Sequence, residues 1–198
     1  MGVPEAILGA VLIGGASRRM GRDKALLPVE GQPLAERVAR TLERVVSRVV
    51  LVGRDREDDR FPDRTILADR FPGQGPLAGL HAALLDAAGE PVFLAACDLP
   101  GLTPRLIRWV IGDGPVARDA PQARVPVAEG RLQPLCALYG PACLGPAEEA
   151  LEAGRLSMHR FLEDLDVITK PLTPDLPFYD PDLLVNWNEP DDVERRFS

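Results

Sequence analysis

Apolar residues in this chain gather in short runs, and the segments between the runs carry apolar positions three and four residues apart. Val11, Leu12 and Ile13 close one run, Val49 to Val52 form a second, Thr65 to Leu67 a brief third, and Val92 to Ala96 a fourth without a polar residue. Runs of this length read as buried strands, the last one covered on both faces. Between them, Leu34, Val38, Leu42 and Val45 predict an amphipathic helix over Gln32 to Val46, with Pro33 tolerated in its first turn. Helices are also predicted from about Leu77 to Ala88 and over Leu102 to Ile111, the latter with Thr103 as N-cap and Pro104 behind it.

The second half continues with Arg124 to Ala128 and Gln133 to Tyr139 as a hairpin closed by Glu129-Gly130. Helices over Pro141 to Ala153 and Ser157 to Leu165 follow, then a short strand at Val167-Ile168 and a last helix opened by Pro190. Strands alternating with helices predict a three-layer, doubly wound α/β fold whose sheet is mainly parallel with one antiparallel strand or hairpin. In such a sheet the ligand crevice lies beyond the carboxyl ends of the strands. At 198 residues, 1–198 reads as a single domain.

Composition narrows the class. Hydrophobic residues make up 45% and charged residues 27%, the range of globular proteins, and the formal net charge of −7 argues against a nucleic-acid partner. No apolar run approaches a membrane span, so no membrane partner is expected and a cytoplasmic location is. The 3 cysteines, Cys97, Cys136 and Cys143, contain no C-x-x-C pair and read as buried, reduced side chains. His81 and His159 are too isolated for a metal site or a nucleophilic triad and read as structural.

Against this acidic background, Val11 to Leu27 stands out. The strand empties into Gly14-Gly15, which let backbone N–H groups approach a ligand, followed by Ser17 and by Arg18, Arg19, Arg22 and Lys24. Glycines and cations directly after a strand suit a phosphate, yet the spacing is neither a Walker loop nor a G-x-G-x-x-G fingerprint. Arg19 offers a planar fork for two oxygens and Lys24 a mobile point charge. A second candidate is Asp98, which follows the fully apolar run and is held by Pro100. A carboxylate there suits Mg2+, which takes one or two protein carboxylates and completes its shell with phosphate oxygens and water. The alternative duty, capping the next helix, is better filled by Thr103.

Leu12, Gly14, Gly15, Ser17, Arg19, Met20, Gly21, Asp23 and Lys24 resemble, position for position, the L-x-G-G-x-S-x-R-M-G-x-D-K signature of Rossmann-like nucleotidyltransferases, in particular the molybdenum cofactor guanylyltransferases. Cys97-Asp98-Leu99-Pro100 resembles that family's metal-binding segment, and Gly75-Pro76-Leu77-Ala78-Gly79-Leu80 its G-P-L-A-G-[LM] segment. The resemblance implies a magnesium-dependent enzyme that moves GMP from GTP to molybdopterin-bound molybdenum, releasing pyrophosphate. It implies nucleotide contacts by Leu12, Ile13, Gly14, Gly15, Ser17, Lys24, Asp69, Gly79 and Asp98, with Arg19, Lys24 and Asp98 catalytic. Acceptor contacts fall on Gly75, Gln133, Asn186 and Asn188. Further partners implied are other cofactor-biosynthesis proteins or the molybdoenzymes that receive the product. Where family members that bind guanosine can carry an asparagine at the end of the second strand, this chain has Val52. The rival readings are a related transferase using CTP or a sugar phosphate acceptor, and a GTP-binding module without turnover.

Overall fold

A computed structural model describes residues 6–14, 23–29, 31–53, 60–116, 118–120 and 122–186. Eight strands among these residues form one sheet. Its centre is β1 (Leu8–Leu12), flanked in parallel by β4 (Arg48–Val52) and β6 (Val92–Ala96), with β5 (Ile66–Leu67) parallel to β4 at one edge. Beyond β6, β9 (Cys136–Tyr139) runs antiparallel to both β6 and β7 (Gln122–Ala128). β8 (Arg131–Leu132) pairs with the end of β7, and β10 (Asp166–Pro171) lies parallel to β7 at the other edge. The mainly parallel sheet with an antiparallel insertion is therefore the one the sequence predicts.

Side chains along the central strands alternate between the two faces, as a pleated strand requires. Leu8, Ala10 and Leu12 of β1 join Val92 and Leu94 of β6 in one apolar cluster, covered by α2 (Pro76–Ala87), α4 (Leu144–Glu152) and α5 (Met158–Glu163). Val11 and Ile13, with Phe93 and Ala95, join the opposite cluster under α1 (Leu34–Glu43) and α3 (Pro104–Ile111). Burying both faces explains why β1 and β6 carry no polar side chain.

Several boundaries differ from the sequence expectation. α1 starts at Leu34 because Gln32–Pro33 (β3) pairs with Pro28–Val29 (β2) in a small ribbon that turns through Gly31 at φ +79°. The helix expected from Pro141 opens as a 3-10 turn, Pro141–Cys143, before α4. β10 is longer than the expected two residues, its exposed side chains fitting an edge strand. Thr103 caps α3 as expected, its hydroxyl accepting from the Leu106 N–H at 3.2 Å. The Glu129-Gly130 turn closes β7 and β8 with positive φ at both residues, +50° and +73°. The helix expected from Pro190 lies outside the described residues.

After β10 the chain returns across the α1/α3 face. Leu172 and Leu183 are buried there, and Phe178 packs edge-on to Trp109 at 5.7 Å. This return brings Asn186 to the carboxyl ends of the strands.

Candidate active site

The strand ends are tied together by backbone hydrogen bonds. Ile13 N–H donates to Val52 O (2.9 Å), Gly53 N–H to Leu67 O (3.1 Å), Cys97 N–H to Leu12 O (3.2 Å) and Ala96 N–H to Leu135 O (2.9 Å). These bonds fix the rim of a cavity of about 150 Å³ lined by Leu12, Ile13, Gly14, Lys24, Asp98 and Asn186, among others. On that rim Gly14 and Gly53 touch backbone to backbone. A Cβ on Gly14 would fall 2.3 Å from the Gly53 carbonyl oxygen, and Gly53 itself has φ +101°. Because the obstacle is backbone, Gly14→Ala is expected to cost about 1–3 kcal/mol, the range for overpacking. Thermal unfolding should show a midpoint several degrees lower; an unchanged midpoint would mean the contact is not a constraint.

Lys24 opens a 3-10 turn, Lys24–Leu26, capped by Asp23, whose carboxylate accepts from the Ala25 N–H at 3.2 Å and also pairs with Arg60 at 3.0 Å. Thus oriented, Lys24 Nζ lies 3.9 Å from Asp98 Oδ2. Burial pushes the Asp98 carboxyl up, and the Lys24 charge partly offsets this. Among the described residues no group of three His, Cys, Asp or Glu side chains could hold a metal ion. One half-buried carboxylate facing a cleft nevertheless fits magnesium, whose remaining ligands are phosphate and water oxygens.

Asp69 follows β5 beside Gly53, a Cβ on which would lie 3.7 Å from the Asp69 carboxylate. Its Oδ1 is buried without a hydrogen-bond partner among the described residues, and burial pushes the carboxyl up to about 6. A folded-state value above the unfolded value of about 3.9 means that the folded chain holds this proton more tightly. Ligand-free stability should therefore rise as pH falls from above 6 towards 4. Asp69→Asn should raise the unfolding midpoint most above pH 6 and progressively less towards pH 4; parallel curves for variant and wild type would contradict the buried-carboxylate account.

Gly75 precedes α2 with φ +76° and no side-chain cap bond, and Pro76 lines the cavity, so the helix start is open to an anion. Gly79 stands behind the wall: a Cβ there would meet Leu12 Cδ2 at 2.4 Å, so its lack of a side chain lets α2 close on β1. Val52 is fully buried on the same side, 3.5 Å from that Cβ position. Gly15, Ser17, Arg19 and Asn188 lie outside the described residues.

A second cavity, about 390 Å³, adjoins the first through Asn186, which lines both. Gln133 lines it, as do Glu129, Arg131, His159 and Tyr179. The loop carrying Gln133 is held by the buried Tyr139 hydroxyl, which donates to Pro134 O at 2.8 Å. His159, expected to be structural, is exposed on this wall, whereas His81 is buried edge-on to Phe71 at 5.2 Å. Cys97, expected to be buried with Cys136 and Cys143, is only half-buried because it turns into the first cavity. Asp23, named in the signature, proves to cap the turn that orients Lys24; Tyr139 left no sequence signal beyond its strand.

Comparison with known proteins identifies the family. The profile of the MobA-like NTP transferase domain matches residues 9–168. The chain belongs to this family. A probable molybdenum cofactor guanylyltransferase of Opitutus terrae is 37% identical, covering 96% of this chain and 94% of that protein. The molybdenum cofactor guanylyltransferase of Desulfosudis oleivorans is 34% identical over 93% of this chain and 90% of its own length. In structure, molybdopterin-guanine dinucleotide biosynthesis protein A from Archaeoglobus fulgidus superposes with a TM-score of 0.74 at 28% identity, covering 95% of each chain. Among the described residues of this MobA-like domain, no helix is long and apolar enough to cross a membrane.

Proposed function

We propose that this chain transfers GMP from GTP to the terminal phosphate of the molybdenum-molybdopterin cofactor, forming the guanine dinucleotide cofactor and pyrophosphate. The observation that carries this reading is the Lys24–Asp98 pair, 3.9 Å apart, in a cleft that shares Asn186 with a larger polar cavity. Two adjoining cavities suit two substrates that must meet end to end. The names of the relatives at 34% and 37% identity support the choice of donor and acceptor.

In this reading the triphosphate lies over the Gly14 turn, with Lys24 and, from the signature loop, Arg19 neutralising charge that grows on the departing pyrophosphate. Asp69, whose carboxylate lies beside Gly53 at the strand ends, accepts a hydrogen bond from the nucleoside. Asp98 would hold Mg2+, which supplies Lewis-acid stabilisation of phosphoryl oxygens. Gln133, Asn186 and Asn188 orient the acceptor. No general base is required, because a phosphomonoester has its second pKa near ~6 and is largely dianionic at neutral pH. A cytoplasmic location, and hand-over to other cofactor-biosynthesis proteins or molybdoenzymes, belong to the same proposal.

The test is pyrophosphate release with acceptor and magnesium present, comparing GTP, ATP, CTP and UTP. GTP should be preferred clearly; equal rates with all four would overturn the guanine assignment, and no release with any would favour a binding module.

A further inference from the structure

The second cavity contains a pair of side chains that neither the signature motifs nor the phosphoryl chemistry accounts for. Glu129 and Arg131 flank Gly130 at the turn between β7 and β8, and both line this cavity. Their position along the chain is informative. Leu135 lines the first cavity, Gln133 the second, and Arg131 and Glu129 come further back towards the hairpin turn. Walking from Leu135 to Glu129 therefore leads away from the Lys24–Asp98 pair into the larger space. An acceptor whose phosphate meets the nucleotide near Asn186 would extend its other end towards this turn.

A carboxylate is an acceptor only, and a guanidinium a donor only. Lining one cavity two positions apart in the chain, they complement a heterocycle edge that presents two adjacent N–H donors next to a carbonyl. A 2-amino-4-oxopyrimidine edge has this order: the ring N–H and amino group donate to Glu129, and the carbonyl accepts from Arg131. Both contacts are charge-assisted. His159 and Tyr179 supply flat rings on other parts of the wall. The backbone of the turn is set by φ +50° at Glu129 and by Gln133 Nε2, which donates to the Arg131 carbonyl at 3.4 Å.

We propose that Glu129 and Arg131 read the 2-amino-4-oxopyrimidine edge of the acceptor's pterin, making the hairpin turn the acceptor-specificity element. This rests on the reading of the chain as a GMP transferase to a phosphorylated pterin. Guanine carries the same edge, so the experiment must separate the two sources.

Steady-state transfer is measured for the wild type, Glu129→Gln and Arg131→Ala, varying acceptor at saturating GTP and GTP at saturating acceptor, with unfolding midpoints as the control for folding. Each variant should raise the KM for acceptor by about tenfold or more, the scale of one charge-assisted hydrogen bond, with kcat and the KM for GTP near wild type. An acceptor KM unchanged in both folded variants overturns the proposal. A rise confined to the KM for GTP also overturns it and places guanine at the turn. Failure of the wild type to transfer GMP at all would instead sink the underlying transferase reading, so the two failures are distinct.

Discussion

Asp98→Asn is expected to lower GMP transfer by on the order of a hundredfold or more, the scale of removing one preorganised electrostatic stabiliser, without loosening the fold. The carboxylate ends a strand whose neighbours are buried on both faces, and burial pushes its pKa up. An ionised group in that position costs the ligand-free protein stability, so the isosteric amide should leave the unfolding midpoint unchanged or higher. GTP should still enter the cleft, because Gly14 and Lys24 remain and Lys24 loses its competing carboxylate 3.9 Å away. Binding and turnover should therefore separate. Calorimetric GTP affinity, thermal unfolding and single-turnover transfer over a range of magnesium concentrations check this together. Wild-type turnover at low magnesium would remove Asp98 from the site, and a low midpoint with normal turnover per folded molecule would make it a structural residue.

Lys24→Ala should weaken both affinity and turnover, since a phosphate-clamping cation acts on ground and transition states alike. A hydrogen bond to a charged group contributes about 1.5–3 kcal/mol, which corresponds to roughly 10–150-fold in kcat/KM. The loss also has an electrostatic signature. Lys24 is the charge that holds the Asp98 carboxyl down against desolvation, so without it that carboxyl should protonate at higher pH in the metal-free protein. Carbon-detected titration of Asp98 would register this directly. An unmoved Asp98 and unchanged kcat/KM would show that Lys24 points elsewhere in solution.

Much of this architecture was legible in the sequence because its central strands are buried on both faces. The apolar runs at Val11 and at Val92 to Ala96 are short enough to read as covered strands, and the residues that follow them, Gly14 and Asp98, do meet at one cavity. Residues that satisfy local geometry with few atoms were harder to see. β2 and β3 are two-residue strands containing proline, and β10 is an edge strand whose exposed polar positions disguise its pairing. In the cleft, Asp23 acts through a cap and an ion pair with Arg60, a residue distant in the chain. His159 was legible only as isolated, because the wall it joins is assembled from the hairpin and the returning tail.

That returning tail has a consequence for how the protein becomes competent during synthesis. Asn186 borders both cavities, and the segment that carries it is held by Leu172 and Leu183, buried on the α1/α3 face. A ribosome releases the Gly14 turn, Lys24 and Asp98 before this segment, and a domain generally folds as a unit. Gly14, Lys24 and Asp98 are therefore made before the segment that completes the pocket around them. The pocket is complete only when the segment anchored by these leucines has joined the same folded unit.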